Sequence, residues 1–423
     1  MKYFWIPGRE PPPLEPHSEA KHELFRAYLN AYLNRLTLRP EQDSLRLTIV
    51  DGFCGGGSYR GADGNITIGS PMILLQEIAA AEAALNAQRR KDFKIDADFY
   101  FIDACREHCA FLREEILKSP FASLLDNKIR IIVGAFKDVY ENISREITSR
   151  RGKHRCLLFL DQYGYSDAPL SIIRDVLKSV HGSEVILTFA VDALINYISD
   201  TDRFEKAVRP VELTRENIVE LKRLWESSES SSRYVVQNAL FKHIKRVTDA
   251  PYSSPFFVRS QSSKRSYWLV HLSKHHTARD VMGEIHWRIQ NSSLHYGREG
   301  LISLGFDGAF QEPALPFEFD VDAKRRSIER ILFEAPRQIY SAAESSEGSI
   351  RYEDFYANVC SYTPATRSMI DDALNIIRTE GDIKVVSLDG SLRRGSKFDW
   401  NDRLMRPDRP GLFTIWNPLH RAP

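Results

Sequence analysis

Five short apolar runs, Leu45–Val50, Asp98–Ile102, Ile129–Val133, Cys156–Leu160 and Glu184–Ala190, alternate with longer stretches of helical character, and nothing else in the chain constrains its fold as strongly. Each run is rich in β-branched or aromatic residues and nearly continuous in hydrophobicity, as a strand covered on both faces must be. Helical stretches near 71–90, 105–118, 138–150 and 168–180 separate them, and His17–Asn34 forms a helix before the first. Ser70-Pro71 offers a start for the helix that follows, serine as cap and proline in the first turn, and Asp167 with Pro169 does the same for the fourth. Strands alternating with helices imply a doubly wound α/β sheet, mostly parallel.

The pattern changes after the fifth run. Residues 203–250 read as a helical insertion, with a serine-rich linker at Ser227–Ser232. Phe256–Arg259 and Tyr267–Leu272, flanking the polar stretch Ser260–Arg265, read as an antiparallel hairpin. A hairpin closing a parallel sheet separates the methyltransferase-type fold from the dinucleotide-binding one. Since 423 residues exceed what one core usually supports, more than one domain is expected. The expected division is a methyltransferase-like domain over 17–295, a connection and linker helix over 296–335, and a C-terminal module over 336–423.

With 58 basic against 57 acidic residues, the net charge of +1 gives no global attraction to a polyanion, so nucleic-acid binding would need a local patch. Five scattered cysteines, an odd number, point to reduced thiols and a cytoplasmic setting. No run of 18 apolar residues predicts a membrane span, and the opening residues lack the apolar core of a signal peptide.

The chemistry concentrates at strand ends. Asp51-Gly52-Phe53-Cys54-Gly55-Gly56-Gly57 follows the first run directly, and glycines there let backbone approach a ligand closely, although a plain strand-to-helix turn also uses them. The acidic-x-aromatic-x-Gly-x-Gly form matches the first motif of methyltransferases, making Asp51, Phe53, Gly55 and Gly57 candidates for the methionine end of S-adenosyl-L-methionine (SAM). Asp103 closes the second strand, where such folds hold ribose hydroxyls; a helix cap is the other reading. It lies 52 residues beyond Asp51, against about 20 in a compact unit, and the loop Arg60–Gly69 with a long helix absorbs the excess. Phe136, in Gly134-Ala135-Phe136, sits where methyltransferases place residues near the adenine; Asp138 and Asp192 serve equally well as helix caps.

After the fourth strand comes Asp161-Gln162-Tyr163-Gly164-Tyr165. Amino-methyltransferases carry an Asp/Asn-Pro-Pro-aromatic tetrad here, whose acid accepts hydrogen bonds from the target amine and whose ring stacks on the base. Asp161 and Tyr163 are the catalytic candidates. Both prolines are missing, so Asp161 as general base, as substrate anchor, or as part of a catalytically silent pocket all stand open. His271, His275 and His276 lack an acid or cysteine partner at ligand spacing and read as surface residues. Cys105 and Cys109 read as core and surface residues, and no metal site is expected.

These strand-end motifs, with Val191–Leu194, Tyr267–His275, His295-Tyr296-Gly297 and Leu304–Asp307, resemble the three-Cys-motif partner family (TcmP) across most of residues 17–420. Family members often read Asp-Pro-Phe/Tyr-Gly where this chain has Asp161-Gln162-Tyr163-Gly164. The family name refers to cysteines in a neighbouring partner resembling a radical-SAM-type iron–sulfur protein, not to any cysteine here. The resemblance implies a methyltransferase-like fold, that protein partner and a bacterial setting in mobile-element or phage defence.

Ile350–Phe355, Thr363–Glu380 and Ile383–Leu388 read as helix, helix and strand, with Pro364 starting the second helix, Gly381 ending it and Asp389-Gly390 as a hairpin turn. This resembles a winged helix. Arg393, Arg394 and Lys397 on the wing would meet phosphates of DNA or RNA, whereas Asp371, Asp372 and Glu380 on the would-be recognition helix suit a protein-docking module better. Three functions follow: a SAM-dependent methyltransferase acting on nucleic acid or its partner, a catalytically silent scaffold subunit, and a metal-dependent nuclease using Asp161 and Asp167.

Overall fold

The structure, a computed structural model, describes residues 3–149, 155–180, 182–199, 201–226, 232–259, 266–289, 295–296, 316–317, 321–345 and 348–408. The chain forms two compact units, residues 1–228 with 239–285, and residues 229–238 with 286–423. In the first, helix α1 (Pro16–Leu36) precedes strand β1 (Ser44–Asp51), a small hairpin of β2 (Ser58–Arg60) and β3 (Ile66–Ile68), and helix α2 (Ser70–Gln88). Strand and helix then alternate: β4 (Lys94–Asp103), α3 (Arg106–Leu117), β5 (Ile129–Val133), α4 (Phe136–Ser149), β6 (Arg155–Leu160), α5 (Leu170–Ser179) and β7 (Gly182–Phe189). Helices α6 (Val191–Asn196), α7 (Asp202–Val208), α8 (Arg215–Glu226) and α9 (Ser232–Thr248, of which 232–238 count with the second unit) follow, then β8 (Tyr252–Arg259), β9 (Ser266–Ser273) and α10 (His276–Ile289, of which 286–289 count with the second unit).

Seven strands make one sheet in the order β5-β4-β1-β6-β7-β9-β8. The first five are parallel; β9 runs antiparallel to β7 and to β8. This is the doubly wound methyltransferase-like sheet with its closing hairpin. The polar stretch 260–265 and Ser227–Ser231 lie outside the described residues. Strand order reverses beside β1, with β4 on one side and β6 on the other, so the crevice beyond their carboxyl ends is where such a sheet takes a ligand. β7 is buried along its whole length, and β6 at every position but its first, which is why both read as continuous apolar runs.

Two helix starts differ from expectation. Gly69, not Ser70, occupies the N-cap of α2, with Pro71 in the first turn. Pro169 caps α5 without a side-chain bond, and the amides of Asp167 and Ala168 donate instead to Gln162 Oε1, at 2.9 and 3.0 Å.

The second unit contains the two-residue strands β10 (His295–Tyr296) and β11 (Pro316–Phe317), with Gly297 and Leu304–Asp307 outside the described residues. Helix α11 (Val321–Glu344) leads to β12 (Ser349–Arg351), α12 (Tyr352–Cys360), α13 (Arg367–Thr379), β13 (Lys384–Val386) and β14 (Arg403–Met405). β14 pairs antiparallel with both β12 and β13. Ile350 therefore belongs to a strand, not a helix: it pairs antiparallel with Leu404, and the helix begins only at Tyr352. Thr366 caps α13 by accepting from Met369 N, so Pro364 lies outside the helix, while Gly381 (φ +82°) ends it in the left-handed conformation as expected.

Leu158, fully buried in the central strand β6, tests the sheet as the core of the first unit. Leu158→Ala is expected to lower unfolding free energy by about 3 kcal/mol in urea titration; a loss under about 1 kcal/mol would contradict this core assignment.

Candidate functional site

The turn after β1 is wedged between both neighbouring strands. Gly52 N–H donates to Phe159 O of β6 at 2.9 Å, and Cys54 N–H donates to Ile102 O of β4 at 2.9 Å. Gly55 N–H donates to Asp103 Oδ2 at 3.1 Å. Asp103 Oδ1 accepts from Cys105 N–H (2.8 Å) and lies 3.1 Å from His108 Nδ1. The two strand-end acids thus belong to one notch, and Asp103 serves the turn and the start of α3 together. Gly55 (φ +57°) and Gly57 (φ +81°) take backbone conformations that side chains resist.

Asp51 and Asp161 show how burial and pairing separate two carboxyls. Asp51 is 1% exposed. Burial pushes it up to about 7; the Ser70 hydroxyl and Phe53 N–H, which face it, offset only part of that cost. Its Oδ2 has no hydrogen-bond partner among the described residues. Asp161 also suffers from burial, yet ends below the usual carboxylate range because Lys21 Nζ donates to both its oxygens, at 2.8 and 2.7 Å. Lys21 comes from α1, 140 positions earlier, and sequence spacing carried no sign of it. Its neighbour His22 is buried and pushed down to about 4 by burial and by Lys21, so its imidazole is neutral at pH 7.

The other candidates divide. Phe53, Gly134 and Ala135 keep partial exposure at these strand ends, Ala104 is exposed, and Val133 is 49% exposed. Phe136 is buried, packing against Gly52 and 6.1 Å from the Phe53 ring, so it supports the turn. Tyr163 is 62% exposed. His271, expected at the surface, is fully buried beside Tyr28 and Glu184. Among the described residues no three His, Cys, Asp or Glu side chains gather to hold a metal, and no helix is long and apolar enough to cross a membrane. Of the three basic candidates in the C-terminal module, Arg393 donates to the buried Asp402 at 2.7 Å, whereas Arg394 and Lys397 are exposed.

Sequence reading missed the lead-in segment. Trp5, 3% exposed, lies over the glycine turn with its indole N–H donating to Ser58 O at 2.7 Å. A Cβ at Gly56 would stand 2.3 Å from Trp5 Cγ, and one at Gly55 2.7 Å from its ring edge. The glycines therefore admit a side chain of this same protein. Trp5 also packs against Tyr59 and His108, which joins it to the Asp103 cluster.

No family model matches the chain, and no curated protein matches it. Among solved structures it is similar to a spermidine synthase in complex with the transition-state analogue AdoDATO (8% identity, 67% of this chain and 68% of that chain, TM-score 0.31). It is also similar to Trm1 from Pyrococcus horikoshii in complex with S-adenosyl-L-methionine (11% identity, 78% and 76%, TM-score 0.28) and to loganic acid methyltransferase with SAH (10% identity, 61% and 94%, TM-score 0.25). The strand order, not these distant likenesses, fixes the fold.

The raised Asp51 makes a signed prediction. A folded-state value near 7, against 3.8 unfolded, stabilises the protein below pH 3.8 and is lost as pH rises to about 7. Asp51→Asn should therefore gain about 4 kcal/mol on the wild type between pH 4 and pH 8 in paired urea titrations; a constant difference would refute the buried acid. Gly56→Ala should cost about 2 kcal/mol, and less than half of that in a Trp5→Ala background, in a double-mutant cycle.

Proposed function

We propose that this chain is a SAM-binding, methyltransferase-like protein of the three-Cys-motif partner kind, acting on nucleic acid or on a radical-SAM-type iron–sulfur partner. The observation that carries the reading is the Gly55–Asp103 bond, which sets the glycine turn and the ribose-type acid at adjoining strand ends beside the switch point of the sheet.

The residues present fit the cofactor. The unpartnered, buried Asp51 Oδ2 suits an ammonium group, which would draw the carboxyl into its ionised form. Asp103 has three contacts on its four lone-pair positions and keeps room for one ribose hydroxyl. Phe53, Ala104 and Val133 offer the apolar surface for a base. SAM supplies an activated methyl group; the protein's part is to hold an acceptor in line with it, and orientation accounts for much of such a rate. Asp161, ionised and fixed by Lys21, anchors the acceptor side, with the exposed Tyr163 ring beside it in sequence. Gln162, where a proline is common in the family, shapes the turn through its amide bonds to residues 167 and 168.

A second reading, the silent scaffold subunit, is favoured by Trp5, which covers the turn that a cofactor would need. The nuclease reading loses ground because Lys21 takes both oxygens of Asp161. The helix–strand–helix–helix–strand–strand order of the C-terminal module, with β14 between β12 and β13, supports a winged-helix reading. Its α13 exposes Asp372 and Ile376, and Glu380 just after it is exposed too, while Arg367 stacks on Trp400 and Arg378 donates to the carbonyls of Arg393 and Gly395. A face so depleted of free cations favours a protein partner over a nucleic acid for this module.

Isothermal titration tests the cofactor. SAM should bind with a Kd on the order of micromolar, weakened at least about tenfold by Asp103→Ala. Transfer of labelled methyl to DNA, RNA or the partner would separate enzyme from scaffold. Absence of SAM binding in the folded wild type would end the methyltransferase reading and leave the scaffold.

A further inference from the structure

At the opposite end of the sheet from the glycine turn lies a recess of about 160 Å³. Two parallel strands form one side. Arg155 pairs with Gly182 and Leu157 with Glu184, so Arg155 and Glu184 share a face on neighbouring strands. The last turns of α1 supply Tyr32 and Arg35, and the start of α10 supplies Thr277, with His275 just before it.

Three observations converge on an anion. First, two guanidinium groups, Arg35 and Arg155, line the recess, and neither makes an ion pair or hydrogen bond among the described residues. Second, the first turn of the 14-residue helix α10 lines it too; the Thr277 and Ala278 N–H groups already donate to His275, so the helix contributes the positive end of its dipole. Third, Tyr32 is 3% exposed, yet its hydroxyl has no partner among the described residues. A buried hydroxyl without a partner costs stability unless something comes to meet it.

Glu184 narrows the anion. Its Oε2 accepts from the Tyr28 hydroxyl and stands 3.2 Å from His271 Nε2, while Oε1 makes no hydrogen bond among the described residues. A carboxylate acceptor set among donors repels a fully deprotonated oxyanion but welcomes one that still carries a proton. Inorganic phosphate keeps a P–OH at neutral pH. Sulfate has none, and a phosphomonoester loses its last near pH 6.

We infer that this recess binds inorganic phosphate, with Arg35 and Arg155 holding its charged oxygens in the field of the α10 N-terminus and Glu184 accepting from its P–OH. The inference stands independently of the cofactor reading, since no residue is shared with the Asp51–Asp103 notch.

Isothermal titration of the full-length protein at pH 7.5, with sodium phosphate, sodium sulfate and methyl phosphate at matched ionic strength, tests it. Phosphate should saturate one site, with sulfate and methyl phosphate at least about tenfold weaker. Arg155→Met should weaken phosphate by about tenfold or more. Glu184→Gln should close the gap between phosphate and sulfate, with folding of both variants verified by circular dichroism. Equal binding of the three anions by the wild type, no saturable phosphate binding, or phosphate affinity unchanged in folded Arg155→Met would each overturn the proposal.

Discussion

The bond between Gly55 N–H and the Asp103 carboxylate holds the functional end of the sheet in one piece. Without it, the turn after β1 and the end of β4 would be joined only through main-chain bonds such as Cys54 N–H to Ile102 O. With it, one carboxylate terminates β4, orders the start of α3 and fixes a glycine backbone held at positive φ. Hydrogen bonds to a charged acceptor are stronger than neutral ones, and the Gly55 and Cys105 amides and the His108 ring all converge on this one carboxylate.

The same end of the sheet shows that an acid's behaviour follows its neighbours. Asp51 is buried and Asp161 half-buried at adjacent strand ends, and desolvation acts on both in the same direction. Only Asp161 receives an ammonium group, and Lys21, with smaller help from Thr188 and His22, sends it the other way. The sheet end therefore holds one carboxylate fixed in its charged form and another poised near neutrality, so a cation arriving there would meet a fixed charge and an inducible one.

Much of this was legible in the residues. The continuous apolar runs announced parallel strands because a doubly covered strand has no polar face to display, and the hairpin after them identified the sheet type. Asp51, Asp103 and the glycine turn could be found because local sequence creates them: a strand stops, and an acid or a glycine follows. Ile350 was misjudged because a three-residue strand is too short to display a period of two, and its pairing with Leu404 lies 54 residues away. His271 was placed at the surface because its sequence neighbours are polar, whereas its partners are Tyr28 and Glu184 on other elements.

By itself, the sequence determined which segments become strands and helices, and which strand ends carry acids, since both follow from local hydrophobic period and turn chemistry. Only the tertiary structure decided what those acids meet. Lys21 reaches Asp161 across 140 residues, Trp5 fills the space left by the glycines, Phe136 turns inward, and Arg393 is spent on Asp402. Each depends on a contact between segments far apart in the chain, and burial and pairing, which fix a side chain's charge and availability, exist only once those segments have packed.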